Sequence, residues 1–121
     1  MARNSFASSV VYAVEGIRYA FATQINMRIH GVAAIVVITA AALLHVSGLR
    51  WLFLLLAITL VMVAEMLNTA IEAAVDLTSP DLHPLAKAAK DTAAGAVLLA
   101  AVFAIIVGII VFYRPVLDWL V

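Results

Sequence analysis

Along this chain the polar positions thin out into three long apolar stretches. The first runs from about 29 to 46, and "HVSGLR" with Gly48 makes the short turn that ends it. The second runs from about 51 to 77 and opens with "WLFLLLAITLVMV", thirteen residues without a charge. "TSPDLHP", with Pro80 and Pro84, breaks the chain before the third, about 88 to 113. That third stretch contains "TAAGAVLLAAVFAIIVGIIVFY", also free of charge. A helix rises about 1.5 Å per residue and a bilayer core is about 30 Å thick, so each stretch is long enough to cross.

The segment from about 5 to 24 has a different pattern. Phe6, Val10, Val14, Ile17 and Phe21 recur at spacings of three and four, while Ser8, Tyr12, Glu15, Tyr19 and Thr23 gather opposite. This is an amphipathic helix expected to lie in the membrane interface. The competing expectation is a helix that only packs against the bundle. In the third stretch Ala96, Ala100, Ala104 and Gly108 form a stripe of small residues, which lets a neighbouring helix approach closely without saying whose chain it belongs to.

Composition agrees with the pattern. Of 121 residues, 67% are hydrophobic and only 12% charged, too apolar for a soluble domain of this size. A net charge of zero argues against nucleic acid as a partner, and the absence of cysteine excludes disulfides and thiolate metal sites. The beginning, "MARNSFASSVVYAVEG", lacks the layout of a signal peptide. The expectation is one integral-membrane domain over residues 1–121. Arg3, Arg18, Arg28, Lys87 and Lys90 fall on one side of a three-span chain, and Arg50 and Arg114 on the other. The excess of basic residues places the N-terminus and the loop near 78–90 in the cytoplasm.

The chemistry gathers in "AEMLNTAIEAAVD", where three acids follow the apolar run. At about 100° per residue, Glu65, Asn68, Thr69, Glu72 and Asp76 share an arc of about 100° on one helix. With Arg50 at the outer interface, the core ends near residue 70. Glu65 then lies about a turn inside it, while Glu72 and Asp76 lie at or beyond the boundary. A carboxylate in that position costs several kcal/mol unless paired or hydrated, which makes it a functional candidate; a structural partner for a basic residue on a neighbouring helix is the plainer alternative. Clustered acids invite a cation or a proton. Oxygen donors suit Mg²⁺, which typically takes one or two carboxylates plus substrate phosphates. Lys87 and Lys90 could meet an anion such as a polyphosphate, or could serve only as positive-inside anchors. His30, His45 and His83 form no metal-binding spacing. No P-loop pattern, kinase Gly-rich loop or catalytic-loop motif is present. The residues alone lead to a membrane helix bundle with a metal-ready acidic site at one interface.

"AEMLNTAIEAAVDL" and "HPLAKAAKDTAAGAV" resemble the small integral-membrane diacylglycerol kinases, a family that includes the bacterial undecaprenol kinases. "SF…YAVEGI" and "NMRIH" extend the resemblance over nearly the whole chain. It implies an all-α membrane protein: an interfacial helix and three transmembrane helices per chain, assembled as a homotrimer with active sites shared between chains. It implies transfer of the γ-phosphoryl of MgATP to a lipid primary alcohol at the cytoplasmic side of the bacterial inner membrane.

Carried onto this sequence, Glu65 is the general base, Glu72 a metal ligand and Asn68 a polar contact near the reacting groups. Asp76, Asp81, Leu82, His83, Lys90 and Asp91 are nucleotide-side residues, and Tyr12 is a nucleotide contact on the interfacial helix. The family commonly carries a second metal-binding glutamate where this chain has Gln24, a weaker ligand for a hard cation. The motif variants look more like the undecaprenol kinase type, with diacylglycerol the alternative acceptor. An ion-coupled transporter or a membrane scaffold is the rival class, since it too would use intramembrane carboxylates.

Overall fold

The computed structural model describes residues 5–79, 81 and 83–121. These residues form four α-helices: α1, Phe6–Thr23; α2, Ile25–Leu43; α3, Leu49–Thr78; and α4, Pro84–Leu120. α2, α3 and α4 are each long and apolar enough to cross a membrane. The chain is a membrane protein. Leu82, one of the nucleotide-side expectations, and Pro80 lie outside the described residues.

α1 starts at a capping box. Ser5 Oγ accepts from the Ser8 backbone N–H at 3.2 Å, and Ser8 Oγ accepts from the Ser5 N–H at 3.2 Å. Two of the four N–H groups that a helix start leaves unpaired are satisfied in this way. Phe6, Val10, Val14 and Ile17 remain exposed on α1. An apolar face uncovered by the rest of the chain is what an interfacial helix presents to lipid.

A single residue separates α1 from α2. Gln24 is extended, with φ −113° and ψ 116°, and serves as C-cap of one helix and N-cap of the next. The Arg28 guanidinium donates to the carbonyls of Phe21 and Ala22, both at 2.8 Å, pairing acceptors that the end of α1 would leave open. A Cβ at Gly31 would lie 3.0 Å from the Phe21 ring, so glycine lets the end of α1 rest on α2. α2 thus begins four residues before the expected first span, because the chain breaks at Gln24 and resumes its helix at once.

The turn after α2 uses two left-handed residues, His45 at φ 55° and Gly48 at φ 60°. At Gly48 the conformation favours a residue without Cβ. α3 and α4 exceed the expected spans. At 30 and 37 residues they are about 45 Å and about 55 Å long, more than a bilayer core needs. Pro84 sits at the first turn of α4, where its missing N–H costs nothing, and His83 Nδ1 caps the helix by accepting from the Leu85 N–H at 3.1 Å. α4 also runs past Tyr113 to Leu120. Pro115 lies inside it and removes one ladder hydrogen bond without ending it.

α3 is the central element: it touches α1, α2 and α4, the last most extensively. Ala41, Val46, Leu54, Ala57, Val107 and Val111 form the apolar core near the α2–α3 turn. Ala41 and Ala57 keep the side chains there small. Most large apolar residues, including Ile35, Leu99, Ile109 and Ile110, stay exposed on the single chain, surface suited to lipid or to further protein.

Candidate active site on α3 and the α3–α4 hairpin

The 3.6-residue repeat aligns Glu65, Asn68, Thr69, Glu72 and Asp76 along one face of α3, and their exposure rises along that face. Glu65, Asn68 and Thr69 are buried, Glu72 is half-buried and Asp76 is exposed. The arc expected from the periodicity is therefore a path from the interior to the surface.

Glu65 is only 1% exposed. Its Oε2 lies 3.7 Å from His30 Nε2 on α2 and, among the described residues, accepts no hydrogen bond. Removing a carboxylate from water costs several kcal/mol, which only a partner or an added proton offsets. Thr69 does not supply that partner, because its hydroxyl donates back to the Glu65 carbonyl at 2.9 Å. One turn along, Asn68 Nδ2 lies 3.5 Å from Glu72 Oε1, and Asn68 Oδ1 is buried without a donor among the described residues. Buried polar atoms without partners are rare in folded chains, and here two fall on consecutive turns of one face.

Beyond Glu72 the face reaches the polar hairpin. Lys90 Nζ lies 2.5 Å from Asp76 Oδ1, which ties α4 to α3. Lys87 Nζ lies 2.5 Å from Asp91 Oδ2, one helical turn away. A cleft of about 570 Å³ opens here, lined by Asp76, Ser79, Asp81, His83, Lys87, Lys90 and Asp91. An apolar groove of about 500 Å³ runs between α3 and α4 on the same side of α3 as Asn68, which lines it among Leu60, Val63, Leu67, Ile71, Leu99 and Phe103. Ala96 and Ala100 of the small-residue stripe open that groove, while Ala104 and Gly108 border a smaller cavity shared with α2.

The structure thus assembles Asp76, Asp81, His83, Lys90 and Asp91 around one cleft, with Glu65, Asn68 and Glu72 leading toward it. Tyr12, half-buried on α1, and Gln24, at the α1–α2 break, do not line that cleft. Among the described residues, no three His, Cys, Asp or Glu side chains converge as a metal cage. Two residues gained weight from the tertiary structure. Lys87 lines the cleft, and its spacing of four from Asp91 was visible in sequence. His30 contacts Glu65, and sequence offered only its position near the start of an apolar span.

Residues 11–112 match the family of prokaryotic diacylglycerol kinases. The chain belongs to this family. Within this kinase family it is 53% identical to the diacylglycerol kinase of Synechocystis sp. (strain ATCC 27184 / PCC 6803 / Kazusa), over 91% of this chain and 63% of that protein. The chain therefore spans less than two thirds of that relative's length. It is 43% identical to the undecaprenol kinase of Bacillus subtilis (strain 168), over 90% of this chain and 89% of that protein. It is 37% identical to the diacylglycerol kinase of Escherichia coli (strain K12), over 78% of each. The expected leaning toward the undecaprenol type meets relatives of both names, and the Synechocystis protein, at 53%, carries the other one.

Proposed function

We propose that this protein is a lipid kinase that transfers the γ-phosphoryl group of ATP to a primary alcohol of a membrane lipid. The observation that carries this reading is the graded face of α3, where a buried acid leads through Asn68 and Glu72 to a charged cleft, beside an apolar groove. Phosphoryl transfer asks mainly for positioning and for neutralisation of charge. The groove suits a hydrocarbon chain whose hydroxyl reaches the level of Asn68. The cleft, with Lys87 and Lys90, suits a polyphosphate.

In this reading Glu65 takes the proton of the lipid hydroxyl. The new bond joins the alcohol oxygen to the γ-phosphorus, the bond from that phosphorus to the bridging oxygen breaks, and ADP leaves. Asn68, with its free carbonyl oxygen, orients the hydroxyl or the phosphate. Glu72 is the residue that would hold Mg²⁺, with phosphate and water oxygens completing the set and Gln24 a weaker second ligand. The half-buried Glu72 carboxylate offers the oxygen donors that a hard cation takes, and the Asn68 amide nitrogen that faces it at 3.5 Å would have to turn aside or stay outside that set. When bound, Mg²⁺ supplies positive charge to the phosphates. Asp76, Asp81, His83, Lys90 and Asp91 frame the nucleotide, and Leu82 and Tyr12 are assigned to it on the family resemblance alone.

The reading includes a homotrimer. The uncovered apolar faces and a cleft open at its edge support an active site completed by a neighbouring chain. It also includes an inner-membrane location with the hairpin in the cytoplasm, supported by the distribution of basic residues. Undecaprenol is the favoured acceptor on the motif variants, and diacylglycerol is the second reading on the Synechocystis relative.

The experiment is purified protein with radiolabelled ATP and a panel of lipid alcohols. Label moving to lipid supports the kinase, and the preferred alcohol decides between the two acceptors. Absence of transfer to every alcohol, with ion flux in proteoliposomes, would favour the transporter class.

A further inference from the structure

Glu65 Oε2 is buried and, among the described residues, accepts no hydrogen bond, and His30 Nε2 lies 3.7 Å from it. His30 belongs to α2, whereas the other polar residues of the face belong to α3. Its imidazole also lines a cavity of about 130 Å³ whose other walls are apolar, among them Ala33, Val37, Ala57, Val61 and Gly108. The ring therefore has room to move on one side and the buried Glu65 oxygen near it on the other. Closing the gap by about 0.8 Å brings the pair to the ordinary N–H···O length of about 2.9 Å. Gaps of this kind commonly tighten when substrate binds.

We infer that His30 is a positioning residue for Glu65: with its proton on Nε2 it donates to Oε2, fixes the carboxylate and leaves Oε1 to receive the proton of the acceptor hydroxyl. This rests on the lipid-kinase reading with Glu65 as base. The physical need is clear. A carboxylate free to rotate presents its lone pairs to the substrate only part of the time, and a base is effective when a third group orients it. A donor on α2 also couples the base to the packing of a second helix, so that the catalytic face does not depend on α3 alone.

Geometry supplies the test. A glutamine amide nitrogen reaches roughly the position of Nε2, and an asparagine amide nitrogen only that of Nδ1. Purified His30→Asn is expected to lower kcat by roughly 10- to 100-fold, the range for losing a group that orients a functional ligand. KM for ATP and for the lipid alcohol should stay near wild type. His30→Gln should recover most of the rate. In the Glu65→Gln background, His30→Asn should add no further loss, because two residues acting through one another are not additive. Oligomer size in detergent checks assembly of every variant.

A near-normal kcat for His30→Asn, a His30→Gln as slow as His30→Asn, or losses that multiply in the double variant would each overturn the inference while leaving Glu65 as base. Near-normal turnover of Glu65→Gln by itself would instead remove the base, and the role of His30 with it.

Discussion

Lys90 on α4 places its ammonium 2.5 Å from the Asp76 carboxylate on α3, across the mouth of the charged cleft. The pair is partly exposed, and such ion pairs contribute little to stability. Its consequence is local: it holds a cation at the rim where a polyphosphate would approach. Lys90→Met should therefore raise KM for MgATP by about 10-fold or more, in line with the loss of a charge-assisted contact of about 1.5 kcal/mol or more, with only a small change in thermal unfolding. Steady-state kinetics beside a melting curve in detergent checks this. Unchanged KM with a large fall in melting temperature would make the pair a hairpin clasp only.

Glu65→Gln keeps the side-chain shape and removes its basicity. Turnover should fall by roughly 10² to 10⁴, the usual contribution of a general base. MgATP affinity and oligomer size should persist, since neither needs a proton acceptor. Loss of assembly in the variant would assign Glu65 to holding α3 against α2 through His30.

Gln24 sits at the one extended residue between α1 and α2, where a longer or charged side chain disturbs no helical hydrogen bond. Gln24→Glu should lower the Mg²⁺ concentration that gives half-maximal activity, because a carboxylate binds a hard cation better than an amide. A titration of Mg²⁺ at fixed ATP for both proteins measures it. An equal or higher requirement in the variant would exclude Gln24 as a ligand position.

The chain has no cysteine, so single replacements report topology without background. Ser47→Cys, in the exposed turn after α2, should react with an impermeant maleimide from outside intact cells, and Asp81→Cys only after the membrane is opened. The opposite pattern would put the cleft on the outer face and exclude cytoplasmic ATP as its ligand.

Sequence alone determined what depends on neighbours along the chain. The apolar runs around α2, α3 and α4, the amphipathic α1 and the polar arc from Glu65 to Asp76 all follow from a 3.6-residue repeat, which is a local property. Helix ends were less legible. The end of the amphipathic segment near 24 was legible, but only the structure shows that α2 resumes at once at Ile25, and Pro115 suggests an end that α4 does not take. Contacts between helices were not legible, because the rotation and depth at which one helix packs on another depend on every side chain between them. For this reason the tertiary structure decided that Glu65 is buried rather than facing lipid, that Lys90 pairs with Asp76, and that His30, remote in sequence and plain in pattern, is the residue that meets the buried acid.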